Sequence, residues 1–127
     1  MSDIGINEAA KIADVKPHTL RYYESIGLIK NIKRDALGKR VYNEQDLKWL
    51  EFINRLRLTG MKISKMKEYT RLRNLGDETI KERKNILYEH LADIESQING
   101  LLEVKEYVVK KISIYNDMEE KHNESRK

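Results

Sequence analysis

From Glu78 to about Met118 the chain has no proline and a single glycine, Gly100. Steps of four and three residues from Ile80 land on Ile80, Lys84, Leu87, Leu91, Ile94, Ile98, Leu101, Lys105, Val108, Ile112 and Tyr115, and nine of these eleven are apolar or aromatic. A seam sustained over so many heptads predicts one long helix that pairs with another. About 40 helical residues reach about 60 Å, and a stripe of that length finds no cover within 127 residues. The partner this implies is a second copy of the chain. The alternative is an amphipathic helix folded back on its own domain. On this reading residues 1–76 form a compact domain and 77–118 a dimerisation helix, while 119–127, EEKHNESRK, make a polar tail expected to fray.

Composition fits such a division. Hydrophobic residues make up 39% and charged residues 36%, which suits a small globular unit joined to something that buries only one stripe. The net charge of +4 is lodged in the first half: residues 1–62 hold 12 Lys and Arg against 8 Asp and Glu, and the remainder balances at 13 against 13. A basic half joined to a neutral one suggests a polyanion-binding surface, or a solubilising bias. There is no cysteine, which excludes disulfides, thiolate metal sites, iron–sulfur clusters and a thiol nucleophile. No apolar run approaches the length of a membrane span, and the N-terminus lacks a signal-peptide pattern, so no membrane partner is expected and the cytoplasm is the default.

The basic half has its own punctuation. INEAAKIADV reads as a short helix with Asn7 as its cap and Ala9, Ala10 and Ala13 on a small-residue face. After a tight connection, Pro17 is placed to open a second helix, where its missing N–H costs nothing, and Gly27 to end it near Ile26. This is a helix-turn-helix. Leu28-Ile29 and Arg40-Val41-Tyr42 then predict the strands of a β-hairpin with a basic tip of Lys33, Arg34, Lys39 and Arg40 against one acid, Asp35. Asn43 with Asp46 predicts the capped start of a third helix carrying Leu47, Leu50, Ile53 and Leu56, flanked by Trp49 and Phe52 and ended by Gly60. A fourth helix is expected from Ile63 to Leu75. The fold class is therefore mainly α: an N-terminal winged helix-turn-helix followed by a long C-terminal dimerisation helix.

On the second helix His18, Arg21, Tyr22 and Ser25 fall at three- and four-residue spacing on one face, with Leu20 and Tyr23 on another. One face packs; the other offers donors that phosphates and base edges accept, as a recognition helix in a major groove requires. Tyr22 and Tyr23 can also be read as half-buried packing residues, for Tyr23 on equal terms with a DNA contact. A basic wing would add phosphate contacts and a salt-dependent affinity. Enzymatic readings have little to stand on. His18, His90 and His122 are far apart, there is no Gly-rich phosphate loop and no nucleophile motif. No catalytic residue, metal site or cofactor is expected.

Taken together, PHTLRYYESIGLI, the following R…GKRVY, and YNEQDLKWLEFINRLRLTGMKISKMKEY resemble the MerR family of bacterial transcription regulators over roughly residues 4–116. DLKWLEFINRLR and GDETIKERKNIL are most similar to its aldehyde- and electrophile-responsive branch. The resemblance implies that Pro17–Ile26 is the recognition helix, with His18, Thr19, Arg21 and Tyr22 facing DNA and Tyr23 near phosphate. Arg34, Lys39, Arg40 and Tyr42 would belong to a first wing, and Lys62 to a second. The long helix would form the antiparallel coiled coil of a homodimer. Such proteins bind pseudo-palindromic promoter DNA and bend and untwist an overlong spacer, so that RNA polymerase reads both promoter elements; the deformation energy is the switch. An effector-independent repressor or architectural protein on the same fold is the alternative. The chain departs from the family at two places. Lys16 stands where many members carry a small helix cap, giving up a cap and gaining a charge near DNA. Arg55 stands where electrophile sensors carry a cysteine, which rules out thiol chemistry. Tyr69, Tyr88 and Tyr107 are polar aromatics that could line a ligand site or pack beside the coil.

Overall fold

The computed structural model describes residues 3–126. A short strand β1 (Ile4–Gly5) leads into helix α1 (Ile6–Ala13), helix α2 (Pro17–Ser25), strands β2 (Lys33–Arg34) and β3 (Arg40–Tyr42), helix α3 (Glu44–Leu58) and helix α4 (Ile63–Leu75). A 3-10 turn (Asp77–Thr79) then opens helix α5 (Ile80–Ser125). One compact unit reaches to Leu87 and a second runs from Tyr88 onward.

Local chemistry explains most of these boundaries. Asn43 Oδ1 accepts from the Asp46 amide at 2.8 Å, and Asp46 Oδ2 accepts from the Asn43 amide at 3.0 Å, closing the expected capping box at the head of α3. Pro17 is the first residue of α2. Gly27, at φ 83°, turns the chain left-handed past its end, so that the Leu28 amide can donate back to the Tyr23 carbonyl at 2.9 Å. One start signal acts elsewhere than expected. The cap position of α1 is Gly5 rather than Asn7, because β1 draws the chain into the sheet up to Gly5 and the helix begins at once after it. Gly60 ends α3 as expected: at φ 92°, just past the Thr59 cap, it turns the chain left-handed, its amide donating to the Arg57 carbonyl and the Met61 amide to the Leu56 carbonyl, both at 3.0 Å.

The sheet differs from the predicted hairpin. Its order is β1-β3-β2, all antiparallel, with Ile4 opposite Tyr42 and Arg34 opposite Arg40. Leu28 and Ile29 are not strand residues: they are 0% and 2% exposed in the core. The Leu28 backbone is already engaged, since its carbonyl accepts from Trp49 Nε1 at 2.7 Å and its amide closes α2. The role of first strand passes to Lys33–Arg34.

Around this sheet α1 packs on α2 and α3 through Ala9, Ala10 and Ala13, whose small side chains admit close approach. Leu20 and Tyr23 of α2, Leu50 and Ile53 of α3, and Met66 and Leu72 of α4 complete one core that also takes in Tyr42 and Ile86. Each fully buried large apolar side chain contributes about 1.5–3 kcal/mol relative to exposure. On α5, by contrast, the helix continues through the polar segment to Ser125, 46 residues in all and about 69 Å long.

Candidate nucleic-acid interface

The rigid start and glycine stop of α2 fix which side chains leave the domain. His18, Arg21, Tyr22 and Ser25 are exposed and Thr19 is half-buried, while Leu20 and Tyr23 face the core. The three- and four-residue spacing thus separates the two faces as the sequence implied. Lys16 is exposed at the cap position of α2, with extended backbone and no side-chain capping bond.

Beside this face stands the wing. Asp35 organises its tip: Oδ1 accepts from the Leu37 and Lys39 amides, both at 2.9 Å, and its backbone exchanges bonds with Lys39 and Gly38. Gly38, at φ 80°, supplies the left-handed residue that the turn needs. The tip acid is therefore a turn residue, and Lys33, Arg34 and Lys39 remain exposed around it. Arg34 Nη1 donates to the Gly38 carbonyl at 2.8 Å. A cavity of about 680 Å³ lies between the start of α1, Arg21 and the wing residues Arg34, Lys39 and Arg40. Lys62, exposed at the start of α4, occupies the cap position of that helix.

Two expected contact residues are corrected. Tyr23 and Tyr42 are 4% and 1% exposed, and their hydroxyls are buried without a hydrogen-bond partner among the described residues. Burial pushes both phenols above their ordinary pKa. The rings pack α2 and β3 into the core, and neither side chain is available to a phosphate. Arg40 is half-buried and tied to Glu24, a partner that sequence spacing could not reveal because the two stand 16 residues apart.

The aromatic residues weighed as ligand-lining also separate. Tyr69 is buried and stacks on Trp49 at 6.1 Å, with Phe52 beside both and the Arg73 guanidinium 4.3 Å from the Trp49 ring. Tyr88 and Tyr107 are exposed, as is Arg55. Among the described residues no group of three or more His, Cys, Asp or Glu could hold a metal ion, and no helix is long and apolar enough to cross a membrane.

Of the seam positions on α5, Ile80, Leu91, Ile98, Leu101, Val108, Ile112 and Tyr115 are exposed, Ile94 is half-buried, and Leu87 packs against the core of the first unit. Leu102, Val104, Val109 and Met118 are exposed as well and lie outside the expected seam. They widen the apolar surface of the helix.

A helix-turn-helix whose second helix shows polar donors next to a basic wing defines a winged helix-turn-helix DNA-binding protein. Comparison with known proteins narrows this. Residues 5–72 match the model of the MerR HTH family regulatory proteins and residues 47–109 that of the MerR DNA-binding region. The chain belongs to the MerR family of DNA-binding transcription regulators, a family of non-enzymes. It is 46% identical over 84 residues to the HTH-type transcriptional regulator AdhR of Bacillus subtilis, covering 66% of this chain and 60% of AdhR. It is 36% identical over 97 residues to ZntR of Escherichia coli K12, covering 76% of this chain and 69% of ZntR. Among solved structures, HiNmlR, a MerR family regulator lacking the sensor domain and bound to promoter DNA, superposes with a TM-score of 0.82 at 28% identity, over 91% of this chain and 92% of the other. A MerR family regulator from Listeria monocytogenes gives 0.81 at 31% identity, over 89% and 86%.

Proposed function

We propose that the protein acts as a cytoplasmic homodimer that binds a pseudo-palindromic promoter and controls transcription by bending and untwisting its spacer. The observation that carries this reading is one surface of the compact unit, where His18, Arg21 and Tyr22 stand exposed beside Arg34 and Lys39 of a rigidly turned wing. Arg21 offers a forked donor to a base edge or phosphate. Lys16, Thr19 and Lys62 extend the donor set around it. The exposed seam of α5 supports pairing with a second copy, antiparallel as in the family. Two recognition helices then meet successive major grooves, about one helical turn or a multiple of it apart. RNA polymerase responds to the distorted promoter, and deformation energy sets the two states. A chain without cysteine cannot read an electrophile through a thiol, so an effector-independent repressor on the same fold is the competing reading.

Footprinting on the promoter beside its own gene, with permanganate probing of the spacer, tests the proposal. Two protected half-sites and a reactive spacer centre are expected. Protection of a single half-site overturns the dimer, and an unreactive centre under every condition favours the plain repressor. Arg21→Ala should weaken binding by about 1–3 kcal/mol, roughly 5- to 150-fold.

A further inference from the structure

The wing holds two arginines, Arg34 and Arg40. Arg34 and Arg40 are directly opposite in the β2–β3 ladder and therefore share a face of the sheet. Like charges in that position repel. The structure resolves the conflict by turning the two away from each other. Arg34 reaches along its own hairpin to the Gly38 carbonyl, and remains exposed. Arg40 crosses to α2, where its Nε donates to Glu24 Oε1 at 2.7 Å. The side chains of Arg40 and Glu24 retain 24% and 30% of their exposure, so the pair is partly shielded from solvent. Tyr42, two residues along the strand on the same face, is sealed in the core.

From this geometry we infer that Arg40 is a positioning residue, not a phosphate contact: with Glu24 it forms a strut that fixes the wing against the recognition helix. The inference rests on the DNA-binding reading of that surface. Its physical basis is the slightness of the wing's other supports. Strands β1, β2 and β3 comprise two, two and three residues. A ladder that short leaves the angle between wing and helix soft. A charged, partly shielded bond from the tip end of the β2–β3 ladder to the last turn of α2 removes that freedom. The angle matters because α2 and the wing must meet groove and backbone of one duplex at once. Glu24 is also an acid on a DNA-reading helix, and Arg40 neutralises it there.

Conservative and reversed variants separate a strut from a contact. Affinity is measured on the promoter fragment that the wild-type protein protects, over a range of salt. If Arg40 gripped phosphate, Glu24→Gln would remove a nearby acid, free the arginine and tighten binding. A strut predicts the opposite: Glu24→Gln weakens binding about tenfold, with the slope of log K against log salt unchanged. The reversal Glu24→Arg with Arg40→Glu keeps net charge and should recover affinity to within about threefold, while either single reversal loses tenfold or more. Tighter or unchanged binding by Glu24→Gln overturns the strut, as does an Arg40→Ala slope that falls by about 0.9, the loss of one phosphate contact. Melting curves of each variant set aside general unfolding, and wild-type binding in the same assay tests the DNA reading separately.

Discussion

Up to Leu87 the chain builds a buried apolar core of its own; from Tyr88 onward His90 is the single buried side chain among the described residues. Both regions are helical and both carry regular apolar spacing, yet they use it differently. In the first, stripes from three short helices and a small sheet converge on Leu20, Leu50, Ile53 and Met66, each 1% exposed or less. In the second, one helix carries Leu91, Ile98, Val108 and Ile112 with about half of each surface open. Periodicity tells that a face wants burial; topology decides whether the same chain can supply the cover. Stability in the first region is a property of the chain, whereas in the proposed dimer the distal helix would make stability depend on a partner and hence on concentration.

The most damaging test of this contrast is a charge in the seam. Ile98→Asp would place an uncompensated carboxylate in the proposed coil, costing about 3–5 kcal/mol of association. Sedimentation should then give a monomer at concentrations where the wild type is a dimer, with loss of two-half-site footprints. A variant that still sediments as a dimer would remove the seam from the interface. In the compact unit Ile53→Ala opens a cavity at a fully buried position and should cost about 2–5 kcal/mol. Its midpoint should fall while keeping the wild-type dependence on protein concentration, which Ile98→Asp abolishes. Equal concentration dependence in both variants would erase the distinction between the regions.

Local signals were the legible ones. Pro17 and Gly27 bracket α2, and Asn43 and Asp46 build the cap of α3, because each of these devices acts within a few residues of itself. The exposed face of His18, Arg21 and Tyr22 was readable for the same reason. What escaped depends on contacts distant in sequence. Leu28-Ile29 has better strand propensity than Lys33-Arg34, but burial beside Trp49 claims it first, and propensity yields to tertiary context. The two-residue β1 has no pattern of its own and exists only through its pairing with β3. Tyrosine and arginine can each face DNA or pack, so residue type alone could not assign Tyr23, Tyr42 or Arg40. Asp35 is a single acid among four basic residues in the sequence, and only its bonds to the Leu37 and Lys39 amides give it the turn.

Within the compact unit the smallest expected effect comes from the most deeply buried aromatic. Tyr42 keeps a hydroxyl in the core without a hydrogen-bond partner among the described residues, and Tyr23 does the same. Removing an unpaired polar atom while retaining the ring gives up no bond, so Tyr42→Phe should be neutral or stabilising, by about 1 kcal/mol at most. The pH dependence carries the sharper information. Burial, and next the neighbouring Glu24 carboxylate, raise the Tyr42 phenol above its ordinary value near 10. The folded state thus favours the neutral phenol, and the unfolded chain releases its proton first. Stability from this source is fully present below about pH 10 and is lost as pH rises through the folded pKa. Urea midpoints at pH 8 and pH 11 should fall less between the two for Tyr42→Phe than for the wild type, and least for Tyr23→Phe with Tyr42→Phe. Ile98→Asp, acting on the exposed seam, should leave that alkaline loss as it is. A cost above about 2 kcal/mol for Tyr42→Phe at pH 8 would mean that the hydroxyl is bonded after all, and that the core is less dry than its contrast with the distal helix requires.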